Sequence, residues 1–435
     1  MTWTTAGDVG HSRGMPSSVR PAAVSSFWPV VLCWVAVAFD GFDLVVLGAV
    51  IPRLIESGDL GFTPEAATVA ATVGLCGVGV GALAIGPVTD RYGRRLTLIG
   101  CLAWASLMTL LVAASPNLEI FIGLRFLAGL ALGGLLPIAL AYMSEASVAG
   151  RAGTAVTRTM TGYHVGAVAT ALLALVYLEH IGWDWHALFI TGGVAGLLVL
   201  PLMWARLPES SVYEAARASG AEGTQSAAAS IKGLVSGSYL RISVGLWIAS
   251  FMGLLLVYGL NTWLPTIMRE AGYEVGAALT LLLVLNVGAV VGLVVGGWVS
   301  DRRGNKPSAL AWFALAAVFL AGLSVKLESE VLVYVAVFVT GFFVFSAQVL
   351  VYAFVGLLYP TDVRGTALGF SAGIGRLGAI LGPTITGTLV SAGIAYPWGF
   401  YVFAAAAVIA VVALLIVPAT APAPDPARAS GATFR

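Results

Sequence analysis

Between residues 27 and 417 the chain is a succession of long apolar runs, each closed by a short polar or turn-rich stretch. A spanning helix needs about 20 predominantly apolar residues, and a chain inside hydrocarbon must satisfy its backbone hydrogen bonds internally. The runs predict membrane helices near 27–51, 66–89, 96–114, 118–142, 152–178, 186–205, 240–267, 276–299, 308–325, 331–357, 366–391 and 397–417. Their length and continuity exclude a membrane barrel, whose strands alternate apolar and polar positions. Composition agrees: 59% hydrophobic and 10% charged, with mean hydropathy +0.95, against about 45–50% and about 25% in soluble domains. A net charge of +1 gives no basic field for nucleic acid. Cys33, Cys76 and Cys101 lie in apolar stretches without metal-ligand spacing, so neither a metal nor a disulfide framework is expected.

The basic residues predict the orientation. With the N-terminus inside, 16 of the 22 Lys and Arg fall in cytoplasmic tails and loops. Only Arg53, Arg269 and Lys326 fall in outer loops, and that bias sets topology. Residues 1–26 lack the apolar core of a signal peptide and form an expected cytoplasmic N-tail. The longest hydrophilic interruption, 206–239, separates an N-terminal half (27–205) from a C-terminal half (240–417), and 418–435 form a cytoplasmic C-tail.

The halves resemble each other at an offset of about 211–213 residues. Gly86-Pro-Val-Thr-Asp90-Arg-Tyr-Gly93-Arg-Arg95 answers Gly297-Trp-Val-Ser-Asp301-Arg-Arg-Gly304-Asn-Lys306. Gly153-Thr-Ala155 answers Gly365-Thr-Ala367, and Pro52 to Glu56 lie opposite Pro265 to Arg269. Gly166 answers Gly378, which sets His164 opposite Arg376. Duplicated six-helix halves are a carrier architecture with the substrate near the midplane between them.

The paired Gly-x-x-x-Asp-Arg-x-Gly-x-Lys/Arg turns resemble the signature loop of the major facilitator superfamily. Arg125-Phe-Leu-Ala-Gly129-Leu-Ala-Leu-Gly133 is similar to that superfamily's helix-4 motif. Asp40-Gly-Phe-Asp43, Gly259-Leu-Asn-Thr-Trp-Leu-Pro265, and Tyr359 to Gly365 followed by Gly373-Ile-Gly-Arg376 resemble its aromatic acid:proton symporters. The resemblance spans about 27–417. It implies an all-α membrane protein of twelve helices in two pseudo-symmetric halves. It also implies uptake of a benzoate-, hydroxybenzoate- or gentisate-like acid driven by the proton gradient, with no cofactor.

Asp40 and Asp43 stand three apart, so their carboxylates share a helix face. Acids at mid-span are costly unless they face water, take up a proton or find a partner. That suits proton coupling; the competing reading is an ion pair holding two helices together. Arg125 is always charged and needs an acid or a substrate carboxylate. By resemblance it faces the cavity near helix 1 and influences proton release there. Arg376, with Gly373, Gly375 and Gly378 around it, offers a planar fork for the substrate carboxylate, or for Asp40 or Asp43 at rest. His164 switches charge near neutrality, which suits proton relay as well as it suits a satisfied interhelical hydrogen bond. Tyr258 with Asn261, and Gln348 with Tyr352, are the pairs placed to grip an aromatic ring, though core packing uses the same residues.

The resemblance makes the two turns gating latches. Asp90, Arg91, Gly93, Arg94 and Arg95 would act with Asp301, Arg302, Gly304 and Lys306, joined by Glu145, Arg151, Asp362 and Arg364. HExxH, Gly-x-Ser-x-Gly and P-loop patterns are absent, so neither an enzyme nor an ATP-driven pump is expected. The expected protein is a monomeric carrier of a bacterial inner membrane, with both termini cytoplasmic. Its partners are an aromatic carboxylate, protons and the lipid bilayer. The competing functions are a proton-driven exporter of drugs or acids, and a membrane sensor that does not transport.

Overall fold

A computed structural model describes residues 27–146, 152–211, 213–214, 234, 238–327, 329–359 and 361–420. The tails 1–26 and 421–435 and most of the central loop lie outside the described residues. The N-terminal half contains α1 (Phe27–Ser57), α2 (Pro64–Tyr92), α3 (Arg94–Val112), α4 (Leu118–Ala146), α5 (Ala152–Ala174) and α6 (His186–Arg206). The C-terminal half contains α7 (Ser238–Glu270), α8 (Val275–Arg303), α9 (Asn305–Gly322), α10 (Glu330–Leu358), α11 (Thr361–Ser391) and α12 (Ala395–Leu415). A π-helical stretch, Leu175–Ile181, extends α5.

All twelve expected runs are helices, and eleven are long and apolar enough to cross a membrane. The other is α9, which spends its first turn on Asn305, Lys306 and Pro307 yet packs against α10 and α12 as a full member of the bundle. Most helices overrun their apolar windows. For example, α2 continues through Asp90 and Arg91 to Tyr92, and α8 through Asp301 to Arg303. Backbone hydrogen bonding does not stop at the lipid boundary; a helix stops at its cap. For α2 and α8 that cap is a glycine with positive φ, Gly93 at 87° and Gly304 at 89°. A side chain is strained there, so the repeated turns each require a glycine. At its other end α2 opens with Pro64 behind Thr63, whose side chain accepts from the Ala66 N–H at 3.2 Å, a normal helix start.

Within the N-terminal half α1 packs on α5, α2 on α4, and α3 on α4 and α6. In the other half α7 packs on α11 and α12, α8 on α10, and α9 on α12. The halves meet along α1–α7, α2–α11 and α5–α8. At the end opposite the Gly93 and Gly304 turns, this seam is tight. The Arg269 guanidinium donates to the Pro52 carbonyl at 3.1 Å and lies 3.7 Å from the Glu56 carboxylate. Thr72 and Thr384 share a hydrogen bond of 2.7 Å, and a methyl on Gly387 would collide with Thr68. Toward the turns α2 and α11 separate: among the described residues, no atom lies within 4 Å of where a Cβ on Gly86, Gly369 or Gly373 would stand, and Leu83 is 81% exposed. The bundle is closed at the far end and open at the turn end.

Candidate substrate and proton site

Asp40 and Asp43 sit on the part of α1 that is squeezed between α5 and α7. A Cβ on Gly41 would lie 1.8 Å from the Tyr163 carbonyl, and one on Gly166 would lie 1.8 Å from the Ala38 carbonyl. Close helix approach of this kind needs small residues. It brings the Tyr163 backbone of α5 against α1 next to Asp40. On the other side of α1, Gly48 takes the Asn261 backbone of α7 into the space its side chain would need.

The acids have different surroundings. Asp43 is 1% exposed; its Oδ1 accepts from the Arg125 guanidinium at 2.8 Å, and its Oδ2 lies 2.8 Å from the same nitrogen. Thr109 of α3 donates to it at 3.0 Å, and Arg125 also reaches the Asp43 carbonyl at 3.3 Å. Three helices therefore join at one fully paired carboxylate. Asp40 has no hydrogen bond or ion pair among the described residues; Arg376 acts on it from the opposite half through its charge. It lines a cavity of about 40 Å³ together with Asp43, Gly74, Arg125, Tyr258 and Thr262. That space admits a few waters, since each needs about 10–15 Å³, but not an aromatic acid.

Arg376 lies behind the cavity wall and donates to the Tyr258 hydroxyl at 2.7 Å. The Ser250 hydroxyl donates to the Ser371 carbonyl at 2.8 Å and accepts from the Gln348 amide at 3.2 Å. Gln348 and Ser250 thus tie α10, α7 and α11 together next to Arg376. Asn261 turns away, donating to the Val257 carbonyl and accepting from Asn286 of α8, both at 3.0 Å. His164 is 3% exposed, its ring edge-on to Tyr163 and, across the seam, to Phe345 at 5.7 Å. Its Nδ1 has no hydrogen-bond partner among the described residues.

The latch residues are engaged within their own halves. Arg94 pairs with Glu145 at 3.1 Å, Arg302 lies 3.9 Å over the Trp298 ring, and Lys306 donates to the Leu415 carbonyl at 3.2 Å at the end of α12. Arg91, Asp301 and Arg302 are exposed. Arg151 and the side chains of Asp90, Asp362 and Arg364 lie outside the described residues.

Sequence reasoning missed Glu209. Its carboxylate accepts from the Arg94 N–H at 2.9 Å and the Arg95 N–H at 3.1 Å, capping α3, as an acid at a helix N-terminus does. Ser210 donates to Glu145, and Tyr213 to the Arg91 carbonyl at 3.1 Å. The signal was Pro208-Glu209-Ser210, which resembled linker because proline and serine dominate turns. Thr109 and Ser250 were also missed, being single hydroxyls in apolar helices.

Residues 33–383 and 280–434 match the model of the Major Facilitator Superfamily. The chain is similar to the gallate transporter of Pseudomonas putida, with 34% identity over 91% of this chain and 92% of that one. The gentisate transporter of Corynebacterium glutamicum is 35% identical over 89% and 86% of the two chains. The 4-hydroxybenzoate transporter of Pseudomonas aeruginosa is 30% identical over 88% and 89%. Among solved structures, a D-xylose-proton symporter superposes with TM-score 0.72 at 17% identity, covering 90% of this chain and 98% of that one. A nucleoside transporter follows with TM-score 0.70 at 16% identity, covering 89% and 99%. The fold, the duplicated turns and the relatives agree that this chain belongs to the Major Facilitator Superfamily, alongside its aromatic acid transporters, and is a carrier and not an enzyme.

Proposed function

We propose that the protein imports an aromatic carboxylate together with protons by alternating access, with the turn end facing the cytoplasm. The observation that carries this reading is that Asp40 of one half and Tyr258 of the other line one cavity, with Arg376 hydrogen-bonded to Tyr258 behind it. A buried acid without a counter-ion is relieved by taking up a proton, and a buried guanidinium matches a carboxylate. Asp43, held by Arg125 and Thr109, fixes the helix that carries Asp40. Tyr258 and Tyr352 offer ring faces and hydroxyls beside Arg376. The cavity enlarges when the seam shifts, and the acid then replaces Tyr258 as the partner of Arg376.

Gallate, gentisate and 4-hydroxybenzoate are the substrates named for the relatives, and hydroxylated benzoates are the first class to offer. The working unit is a single chain, because each half completes the site of the other. The latch turns close the cytoplasmic end in the alternate state: Asp90, Arg91, Gly93 and Arg94 with Glu145 and Arg151 on one side, Asp301, Arg302, Asp362 and Arg364 on the other.

The test is accumulation of labelled 4-hydroxybenzoate, gentisate and gallate in proteoliposomes under an imposed proton gradient. Uptake of at least one that rises with an inward gradient and collapses with an uncoupler is expected. Flux of all three that ignores the gradient, or acid export driven by it, overturns the reading.

A further inference from the structure

Asn286 of α8 is an amide that the fold orients and leaves half used. Its Nδ2 donates to the Leu282 carbonyl and to the Asn261 side-chain oxygen, both at 3.0 Å. Asn261 donates its own Nδ2 to the Val257 carbonyl at 3.0 Å. Backbone carbonyls only accept, so neither amide can turn over without setting oxygen against oxygen. Asn286 is 0% exposed, and its Oδ1 has no donor among the described residues. A buried acceptor left without a donor is costly and calls for a cause.

The pair stands beside the central cavity and on the seam. Asn261 lies three residues from Tyr258, about 4.5 Å along α7, and its neighbour Thr262 lines the cavity with Tyr258. Tyr258 accepts from Arg376. The anchors of the guanidinium and of the free amide oxygen are therefore one helical turn apart on α7. A benzene ring holds a carboxylate and a ring hydroxyl apart by a comparable span. The Asn261 carbonyl lies 2.1 Å from where a Gly48 Cβ of α1 would stand, and α8 packs on α5. The shift that enlarges the cavity parts α7 and α8 from those helices and uncovers the pair. Gln348 differs. Its Oε1 also lacks a donor among the described residues, but it is pressed on α7, 1.9 Å from a Cβ built on Gly253. That contact lies within the C-terminal half, and a shift of the seam leaves it shut.

We propose that Asn286 Oδ1 accepts the ring hydroxyl of the substrate while Arg376 holds its carboxylate, so that the site selects hydroxylated aromatic acids over unsubstituted ones. The ligand supplies the one thing this pair lacks, a hydrogen. Benzoate leaves the amide oxygen unpaired, and a methoxy group brings a further acceptor without a donor. Asn261 is a positioning residue: it takes one Asn286 hydrogen while the Leu282 carbonyl takes the other, which holds the free oxygen in place.

The inference rests on the reading of the protein as a carrier of aromatic carboxylates, and a ligand panel separates the two. Dissociation constants are measured by calorimetry in detergent for benzoate, 3- and 4-hydroxybenzoate, their methoxy counterparts, gentisate and gallate. The unmodified protein should bind at least one hydroxybenzoate more tightly than benzoate and than its methoxy counterpart, by about 5- to 150-fold, the range for pairing a buried acceptor. Asn286→Leu keeps a similar volume and removes the acceptor. It should bind benzoate within about twofold of the unmodified protein and lose that preference. A parallel loss for every ligand, with the preference intact, would make Asn286 structural and overturn the proposal. If Asn286→Leu does not fold, Asn286→Asp puts a stronger acceptor in the same volume and should widen the preference; an unchanged or smaller preference overturns the proposal as well. Equal binding of benzoate and the hydroxybenzoates by the unmodified protein would sink this inference and leave the carrier reading standing, whereas binding of none of the panel sinks both.

Discussion

Asp43 and Asp40 are separated by one helical turn and differ in everything a proton would notice. Removing the Asp43 partner by Arg125→Ala leaves a buried carboxylate unpaired, a change that costs about 3–5 kcal/mol. Detergent-solubilised Arg125→Ala should melt well below the parent, and adding Asp43→Asn should restore much of the loss. Asp40→Asn should melt like the parent and lose gradient-driven accumulation; normal accumulation would remove Asp40 from coupling. Arg376→Ala should weaken binding of a carboxylate far more than of its neutral amide, and equal loss would mark a structural arginine. The sequence made these four residues conspicuous because charge inside hydrocarbon is expensive. Which acid pairs with Arg125 was not legible, since that depends on the rotation of α1 against α3 and α4.

At the scale of helices, glycines are used in two opposite ways. Gly41 and Gly166 are occupied, since any side chain there meets a carbonyl at 1.8 Å. Gly41→Ala or Gly166→Ala should part α1 from α5, lowering thermal stability and abolishing transport together. Gly86 and Gly369 stand in open space in this conformation, yet their helices must approach when the turn end closes. Gly86→Ala and Gly369→Ala should therefore keep the melting temperature and substrate affinity while lowering the maximal uptake rate; an unchanged rate would mean that α2 and α11 do not meet there. Long continuous apolar runs made every helix legible, because hydrocarbon tolerates little else. Helix ends were less legible, for α2 and α8 carry charged last turns beyond their apolar windows and stop only at Gly93 and Gly304. Glu209 escaped for the same reason: it caps α3 from a segment that has no apolar pattern to betray it.

Across the whole molecule, the far end holds the halves together through Arg269, Pro52 and Glu56, and Arg53 also lies 3.8 Å from Glu56. The pair is partly exposed, and such pairs contribute up to about 1 kcal/mol, which suits a closure that must reopen every cycle. Glu56→Gln should raise labelling of a cysteine placed in the central cavity by a reagent applied from the far side, by about fivefold at most. Unchanged labelling would show that the α2–α11 contact alone closes that end. The two partners are also each other's counterparts in the repeat, and so are Gly48 and Asn261, which touch a little deeper along the same seam. Residues beside a two-fold axis meet their own images. An assembly of two identical six-helix chains would set glutamate against glutamate here, or arginine against arginine, and asparagine against asparagine where only glycine leaves room. The attractive pair and the close crossing need halves that differ in sequence, and the asymmetry at this seam is what two non-identical halves in one chain supply.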